Sequence, residues 1–289
     1  MPKISLFTTL LLALLFAACS HRPPQENRIV VTIEPQRYFA QQLADTLFEI
    51  ITLVPPGSSP ESYDPTPRQM TQLARSKAYF CIGHIGFENV WLDKLKSNHL
   101  NVLFFDNSQG ITLIAGDSHH ATEVSKHSHV HVDPHTWSSP RQARIIVKNM
   151  FVALSEIDPE HLAMYETNRE KLLSEIEETD RVVRSYIEHS SQKAFIIYHP
   201  ALTYLARDYG LTQYAIETDG KEPSPEQLKQ LVDLAKKESI RTVFIQQEFD
   251  RKNAEIIARE TGCRIAVINP LAYRWSEEII RIAKILSDE

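Results

Sequence analysis

The chain has 289 residues, with 31 basic and 37 acidic side chains, a formal net charge of −6 and 43% apolar residues. This length predicts about two domains, each large enough to bury its own core. The mildly acidic balance argues against a broad basic face, so no nucleic-acid partner is expected. Twelve histidines are many for this length, and their placement is the most informative feature of the chain.

The N-terminal segment predicts a signal peptide. Residues 1–18 carry one early cation, Lys3, and then an apolar run that is too short for a transmembrane helix of about 20 residues. The run ends at residues 16–19, FAAC, which resemble the bacterial lipoprotein signal. We therefore expect lipidation of Cys19 and export, with the protein anchored to a membrane and facing the periplasm or the cell exterior; an unmodified Cys19 is the alternative. Residues 19–27 are predicted to form a tether.

The mature chain alternates short apolar runs of β type with helix-like stretches. Strands that alternate with helices build parallel sheets, so the sequence predicts two α/β, Rossmann-like domains over residues 28–157 and 191–289. The eight predicted strands are Ile29–Ile33, Phe48–Val54, Ala78–Ile82, Asn101–Phe105, Ala194–Tyr198, Leu211–Ile216, Thr242–Gln246 and Arg264–Ile268.

One long, rigid helix is predicted to join the two domains over residues 158–190. Asp158 and Pro159 are typical of an N-cap followed by a proline in the first turn. From Pro159 to about His189 there is no glycine and no further proline, and apolar residues recur at helical spacing. Such a connection favours modest tilting of the domains over a large closure.

Two cysteines remain in the mature chain besides the lipidation candidate. Cys81 and Cys263 both lie inside apolar runs. An exported protein can form disulfides, but two cysteines so far apart in sequence do not establish one. Buried free thiols are the favoured interpretation.

The segment from Asp117 to His135 is rich in histidine, with six among nineteen residues. Neutral imidazoles in a flexible loop form a weak site for borderline metals such as zinc. A solvated loop without a ligand is one alternative, and a pH sensor is another, although it needs a bistable element. The candidate metal-binding residues of this loop, within residues 117–131, are His119, His120, His127, His129 and His131.

Two further histidines have a backbone setting that suits a rigid ligand. His135 follows Pro134 and precedes a predicted helix start at residues 139–140, and His199 lies between a predicted strand and Pro200. A histidine at the carboxyl end of a parallel strand lies where ligands enter the crevice of an α/β domain. One such histidine is usually structural, whereas two indicate a binding site.

Six short motifs resemble, in order, those of the metal-binding lipoproteins of bacterial ABC uptake systems, the zinc/manganese solute-binding proteins. Each motif is weak alone, but together they cover essentially the whole mature chain and include the His-rich loop and the long helix. The motifs are VPPGSSP at 54–60, YDPTP at 63–67, DPHTW at 133–137, YHPA at 198–201, EPSP at 222–225 and NPL at 269–271.

This resemblance implies a set of metal ligands. The second and third ligands of the family correspond to His135 and His199. The first, usually histidine, corresponds to Glu61, and the fourth, usually aspartate in manganese or iron members, corresponds to Asn269. Glu61 keeps a carboxylate for ligation, whereas Asn269 offers only a neutral oxygen. His84, at the end of the third predicted strand, is a further candidate, although a loop histidine without a role is favoured.

The implied function is high-affinity capture of a divalent metal in an interdomain cleft and delivery to an ABC permease. Two imidazoles and one carboxylate, completed by water or a loop histidine, suit Zn²⁺ better than Mn²⁺ or Fe²⁺, which are the main alternatives. The metal is then the transported ligand, and the protein is expected to be a monomer without enzymatic activity. Because binding needs neutral imidazoles, affinity should fall below a pH of about 6.5.

Three other classes of protein stay open. A zinc hydrolase also uses two histidines and a glutamate, but it needs a general base, for which Asp64 and Glu217 are candidates. An adhesin whose metal only stabilises the fold would unfold without the metal. A haem- or siderophore-binding relative would need an apolar or cationic cleft instead of two fixed histidines.

Overall fold

The fold is α/β, as predicted, and the computed structural model describes it over residues 25–115, 132–217 and 220–287. Within these ranges eight strands form two sheets. The strands are β1 (Arg28–Val31), β2 (Glu49–Thr52), β3 (Ala78–Cys81), β4 (Leu103–Asp106), β5 (Ala194–Ile197), β6 (Thr212–Ala215), β7 (Thr242–Gln246) and β8 (Arg264–Ile268). Their orders are β2-β1-β3-β4 and β6-β5-β7-β8, and every neighbouring pair is parallel.

All eight predicted strands occur, but most are shorter than the apolar runs that predicted them. The fourth begins at Leu103 and not at Asn101, because the backbone N–H of Val102 donates to the carbonyl of His99 at 2.9 Å in a turn. The central strands β1, β3, β5 and β7 are almost wholly buried. Burial on both faces explains why they read as continuous apolar runs.

The helices connect the parallel strands and cover the two sheets. Several begin with a proline in the first turn behind a Ser or Thr cap, as at Thr66 and Ser224. The α-helices of the described residues are α1 (Glu34–Ala44), α2 (Pro67–Ala74), α3 (Gly86–Asn98), α4 (Pro140–Ile157), α5 (Leu162–Glu188), α6 (Thr203–Tyr209), α7 (Pro225–Lys237), α8 (Lys252–Thr261) and α9 (Trp275–Leu286).

The long helix between the two sheets is α5, whose 27 residues extend over about 40 Å. It begins later than expected, because Pro159–His161 form a 3₁₀ turn instead of the first α-helical turn. Glu175, near the middle of α5, accepts hydrogen bonds from Tyr38 on α1 and from Ser276 on α9. The helix therefore contacts elements that belong to both sheets.

One hydrophobic core extends across the junction of the two halves. Phe39 of α1 packs edge-on against Trp275 of α9, with 5.0 Å between the ring centroids. The indole N–H of Trp275 donates to the carbonyl of Trp137 at 2.7 Å, and the indole N–H of Trp137 donates to the carbonyl of Pro270 at 2.9 Å. These two hydrogen bonds hold the segment after His135 against the second half of the chain.

Cys81 and Cys263 are free and buried, which confirms the prediction of structural thiols. Their Sγ atoms donate to the carbonyls of Phe105 and Ile240 at 3.3 and 3.0 Å.

Among the residues described here, no helix has the length and apolar character needed to cross a membrane. The predicted signal peptide, the lipidation candidate and the histidines of the loop lie outside the described residues. The positions concerned are 1–18, Cys19, His119, His120, His127, His129 and His131.

Candidate metal centre

Three side chains that the sequence singles out meet at one point between the sheets. Glu61 lies in the loop between β2 and α2, His135 precedes a 3₁₀ turn at Thr136–Ser138, and His199 follows β5. One potential ligand atom from each lies within 4.8 Å of the other two. His135 is buried, whereas Glu61 and His199 are each partly exposed. The arrangement offers two nitrogens and one carboxylate oxygen to an ion.

The two imidazole rings face each other through their Nε2 atoms, which are 3.1 Å apart. The Nδ1 atom of His135 lies 3.0 Å from Asp133 Oδ1, and the Nδ1 atom of His199 lies 2.5 Å from Glu217 Oε1. Because a carboxylate only accepts, each Nδ1 carries the proton and each Nε2 has its lone pair free. Two opposed lone pairs at this distance require a cation between them, either a shared proton or a metal.

The distances suit zinc. A tetrahedral Zn²⁺ ion about 2.0–2.1 Å from each nitrogen separates two histidine nitrogens by about 3.3 Å. A carboxylate behind each ligating imidazole is the usual arrangement at zinc sites, because it fixes the tautomer and raises the basicity of the ligand. The site therefore has both the ligand atoms and the supporting groups of a zinc centre.

His135 is held by its own local backbone. Its N–H donates to Asp133 Oδ1 at 2.9 Å, so the same carboxylate binds both the backbone and the ring of His135. Asp133 is fixed in turn, because its carbonyl accepts from the hydroxyl of Tyr204 at 2.8 Å and its N–H donates to the carbonyl of Ile114 at 2.9 Å. The Asp-Pro-His sequence thus sets the position of the ring.

His199 is held by the end of the neighbouring strand β7. The amide of Gln246 accepts from the N–H of His199 at 3.3 Å and donates to its carbonyl at 2.7 Å. The ring of Phe249 stacks on the imidazole, with 5.6 Å between centroids and 17° between planes. Both the backbone and the ring of His199 are therefore positioned before any ion binds.

Glu61 has one carboxylate oxygen committed to the protein and one free. Oε2 accepts from the N–H of Gly86, at the start of α3, at 3.0 Å. Oε1 is buried and has no hydrogen-bond partner among the described residues. A buried carboxylate oxygen without a partner is costly, and a neighbouring cation removes that cost. The unpaired oxygen is thus an independent sign of a cation site.

Gly86 is required for this approach. A Cβ atom at this position would lie 2.3 Å from the carbonyl oxygen of Glu61 and 2.7 Å from its Oε2. Only glycine lets the start of α3 come this close to the Glu61 loop.

The electrostatics of the site favour a cation. Burial alone lowers the pKa of His135, but the carboxylates of Asp133, Glu61 and Glu217 together outweigh burial and hold this pKa above 6.5. For Asp133, burial raises the pKa, but the adjacent imidazole and its hydrogen bonds bring the net value below 3.8. Three carboxylates around two imidazoles leave an excess of negative charge for an ion to neutralise.

The site opens into a cavity of about 310 Å³ whose walls come from both halves of the chain. Besides the three candidate ligands, the lining includes Trp137, Gln246, Glu248 and Phe249. Loss of hydration raises the pKa of the Glu248 carboxyl above 4.5, and the nearby His199 partly opposes this effect. A second cavity, of about 410 Å³, also borders on Glu248.

Two other candidate ligands lie apart from the three that meet. Asn269 lines the second cavity, and its Oδ1 accepts from the N–H of Leu271 at 3.1 Å in a local turn. His84 is exposed, has a left-handed backbone with φ of 66°, and is not part of the cluster. The structure therefore brings together Glu61, His135 and His199 without His84, while Asn269 as a ligand stays a prediction.

Sequence reasoning missed the supporting roles of Asp133, Glu217, Gln246 and Gly86. Glu217 follows β6 just as His199 follows β5, so an acidic residue at a strand end was the available signal. The carboxylate of Glu217 is engaged with His199, and that of Asp64 accepts from the indole of Trp91 at 3.1 Å. Both groups suggested as the general base of a hydrolase thus have other partners.

Comparisons with known proteins agree with this geometry. The family model ZnuA, described as zinc-uptake complex component A, periplasmic, matches residues 29–279. The high-affinity zinc uptake system protein ZnuA of Bacillus subtilis (strain 168) is 26% identical over 280 residues, which cover 92% of this chain and 87% of that protein. The zinc-binding lipoprotein AdcA of Streptococcus pneumoniae (strain ATCC BAA-255 / R6) is 28% identical over 294 residues, 96% of this chain but 57% of that longer protein.

A solved structure extends the likeness to three dimensions. A crystal structure of ZnuA matches with a TM-score of 0.83 and 36% sequence identity, and the match covers 89% of this chain and 97% of that one. The family model alone spans well over half of the chain, including all three residues of the cluster. The chain therefore belongs to the ZnuA family, the periplasmic component A of zinc-uptake complexes.

Proposed function

We propose that this protein captures Zn²⁺ between its two halves and delivers it to the membrane permease of an ABC transporter. The observation that carries the proposal is the pair of imidazoles whose Nε2 atoms face each other at 3.1 Å, each with a carboxylate behind it. Membership of a zinc-uptake family supports the delivery step. The metal is cargo, so the site has to bind it tightly and also to release it.

In this proposal Glu61, His135 and His199 ligate the ion. The two Nε2 atoms bind without rearrangement, because Asp133 and Glu217 already hold the rings in the tautomer that ligation requires. Zinc is favoured over manganese because the cluster supplies a single carboxylate, whereas manganese prefers more oxygen ligands. Manganese or iron is the alternative cargo.

Capture displaces whatever proton the site holds. Because neighbouring carboxylates raise the pKa of His135, protons compete with zinc for this ring more strongly than for an ordinary histidine. Acidification therefore favours release, and rising pH favours binding. The rings are preorganised, so little of the binding energy is spent on ordering side chains.

The membrane attachment and the docking of the permease belong to the same proposal. Lipidation of Cys19 is supported by the FAAC sequence and by the likeness to a protein named a lipoprotein. We expect a monomer that docks on the permease through the cleft-side faces of both halves, because the candidate metal site is itself built from both halves. Substitution of Cys19 by Ala should release the protein from the membrane fraction, and retention there would contradict lipid anchoring.

The function is tested by the metal content and zinc affinity of the mature protein in competition with a chromophoric chelator. We expect one tightly bound zinc ion in the wild type and its loss in His135→Ala. His189→Ala is the matched control, because His189 is exposed at the end of α5 and outside the cluster. Equal tight binding by wild type and His135→Ala, or a preference for manganese, would contradict the proposal.

A further inference from the structure

Three protein ligands leave one position open on a tetrahedral zinc ion. What fills this position depends on the walls of the 310 Å³ cavity into which the cluster opens. Water occupies the fourth position at catalytic zinc sites, whereas closed sites are completed by a protein side chain. A transport protein that binds tightly is better served by a fourth protein ligand.

Apart from Glu61 and Glu248, the described side chains of the cavity wall have no anionic ligand atom to offer. The amide of Gln246 uses both its oxygen and its nitrogen on the backbone of His199. The indole of Trp137 has no acceptor, and the carbonyl of Pro270 already accepts from it. The hydroxyl of Ser59 accepts from the N–H of Glu61 at 3.3 Å. The side chains of Pro60, Ala201, Phe249 and Leu271 are hydrocarbon.

Glu248 is the anionic group that this elimination leaves. It lines the cavity together with the three candidate ligands, and among the described residues its carboxylate is bonded by its own backbone N–H and by no other side chain. Its backbone is held next to the site, because Gln246 bonds to the backbone of His199 and Phe249 stacks on the ring of His199. In the sequence, Glu248 thus lies between Gln246 and Phe249, which both contact His199.

The side chain of Glu248 has room to move. It borders the second cavity of about 410 Å³ as well as the first, so it occupies the wall between the two. Charge favours a shift toward the ion. Among the ligating groups alone, Zn²⁺ with two neutral imidazoles and the carboxylate of Glu61 keeps one net positive charge, which a second ligating carboxylate cancels at contact distance. Asp133 and Glu217 act on this charge only from behind the rings, through the Nδ1 atoms.

We propose that Glu248 supplies the fourth, anionic ligand of the bound zinc ion. This inference rests on the proposed function, since it assigns one more residue to the same site. It also specifies a motion, because the carboxylate turns from the wall between the cavities toward the ion when zinc arrives.

The test compares Glu248→Gln with Glu255→Gln in the mature protein. Both substitutions remove one negative charge, but Glu255 is exposed on α8 and faces Arg251 at 3.6 Å, away from the cavity. Zinc affinity is measured by chelator competition, and the visible absorption of the Co²⁺-loaded protein reports on the ligand set. We expect Glu248→Gln to lose about tenfold or more in zinc affinity, because loss of even a group that only supports a zinc ligand costs about 10–100-fold. The variant should also change the Co²⁺ spectrum. Glu255→Gln should change neither.

A third variant separates direct ligation from a distant charge effect. Glu248→Asp keeps the charge but shortens the side chain by one methylene, so we expect weakened binding and an altered spectrum. If Glu248→Gln weakens binding while the Co²⁺ spectrum stays that of the wild type, ligation by Glu248 is overturned. Wild-type affinity and spectrum in Glu248→Gln, with zinc lost in His135→Ala, overturn the inference alone. A wild-type protein that binds no zinc overturns the proposed function as well.

Discussion

At the scale of single residues, two carboxylates fix the tautomer and the orientation of the two imidazoles. Asp133 and Glu217 each accept from an Nδ1–H, which directs both Nε2 lone pairs to one point. The register of the second sheet explains why Glu217 reaches His199. Ile197 of β5 pairs with Ala215 of β6, so the residues two positions further along, His199 and Glu217, come together at the same edge.

Asp133→Asn tests whether the carboxylate behind His135 contributes to zinc binding. The amide removes an anion and presents a donor group to Nδ1, which disfavours the tautomer that binds metal. We expect zinc affinity to fall about 10–100-fold, measured by chelator competition. Asp158→Asn is a matched control, since Asp158 accepts from the ring of His161 at 2.8 Å outside the cluster. Unchanged affinity in Asp133→Asn would show that the carboxylate does not act on the ligand.

The site was only partly predictable at this scale. Glu61, His135 and His199 follow from motif resemblance, and the structure brings the three together. Ligation by Asn269 stays a prediction, and its side-chain oxygen accepts a hydrogen bond in a turn within its own segment, a contact that no motif reveals. The roles of Glu217 and Gln246 depend on which strands are neighbours and in which register, and a single sequence carries neither fact.

At the scale of secondary-structure elements, the start of α3 holds the carboxylate of Glu61 in the site. Gly86 donates its N–H to Glu61, and Glu88, in the first turn of the helix, accepts from the N–H groups of Ile82 and Gly83 at 3.0 and 2.5 Å. Glu88 is buried, so its charged form is costly. The loop that carries the Gly86 contact is thus tied to a buried carboxyl group.

Gly86→Ala should disturb the site without touching a ligand side chain. The added Cβ meets the backbone of Glu61, so the loop has to move and the Glu61 carboxylate with it. We expect a loss of stability of about 1–3 kcal/mol, measured by urea unfolding, together with weaker zinc binding. Ser97→Ala, at an exposed position near the end of α3, is the control for a change in the same helix. Wild-type zinc affinity in Gly86→Ala would contradict the required close approach.

Glu88 predicts a pH dependence of stability. Burial, opposed by hydrogen bonds from Thr32, Ile82 and Gly83, raises the pKa of Glu88 from 4.5 to about 7. Because the folded pKa exceeds the unfolded value, the stabilisation is fully present below pH 4.5 and is lost as the pH rises through about 7. The loss is about 3 kcal/mol.

Urea unfolding of the metal-free protein at several pH values between 4.5 and 8 measures this effect. The isosteric variant Glu88→Gln does not titrate at this position, so the stability of the wild type relative to the variant should fall by about 3 kcal/mol between pH 4.5 and about 7. The difference between the two slopes isolates Glu88 from the other carboxyl groups. Parallel pH profiles for the two proteins would contradict the assignment.

The elements themselves were largely predictable, for a physical reason. Central strands of a parallel sheet are buried on both faces, so β1, β3, β5 and β7 read as unbroken apolar runs. Their ends were harder to place, because the predicted run Asn101–Phe105 includes the apolar Val102, which belongs to the turn before β4. Periodicity predicted α5, whereas the 3₁₀ turn before it depends on the geometry at Pro159.

At the scale of the whole molecule, one hydrophobic cluster includes residues of both sheets, a second cluster belongs to the second half alone, and the cluster of Glu61, His135 and His199 lies at the junction. The bonds from Trp275 to Trp137 and from Trp137 to Pro270 connect the His135 segment to the second half, and α5 bonds to both α1 and α9. A shared core couples the halves, so binding at the cluster should stabilise the whole protein and not one half alone.

Thermal unfolding tests this coupling. We expect a single transition for the wild type, because the larger hydrophobic cluster joins both halves, and a midpoint that rises with zinc concentration since zinc binds the folded state. His135→Ala should keep the single transition but lose the zinc-induced rise of the midpoint.

Trp275→Phe removes the indole N–H and leaves the carbonyl of Trp137 without its donor, which costs about 1–3 kcal/mol of stability. Because Trp137 lies two residues from His135, the zinc-induced rise should also shrink in this variant. Two separate transitions in the wild type, only one of them shifted by zinc, would show that the halves fold independently and that the junction does not transmit binding.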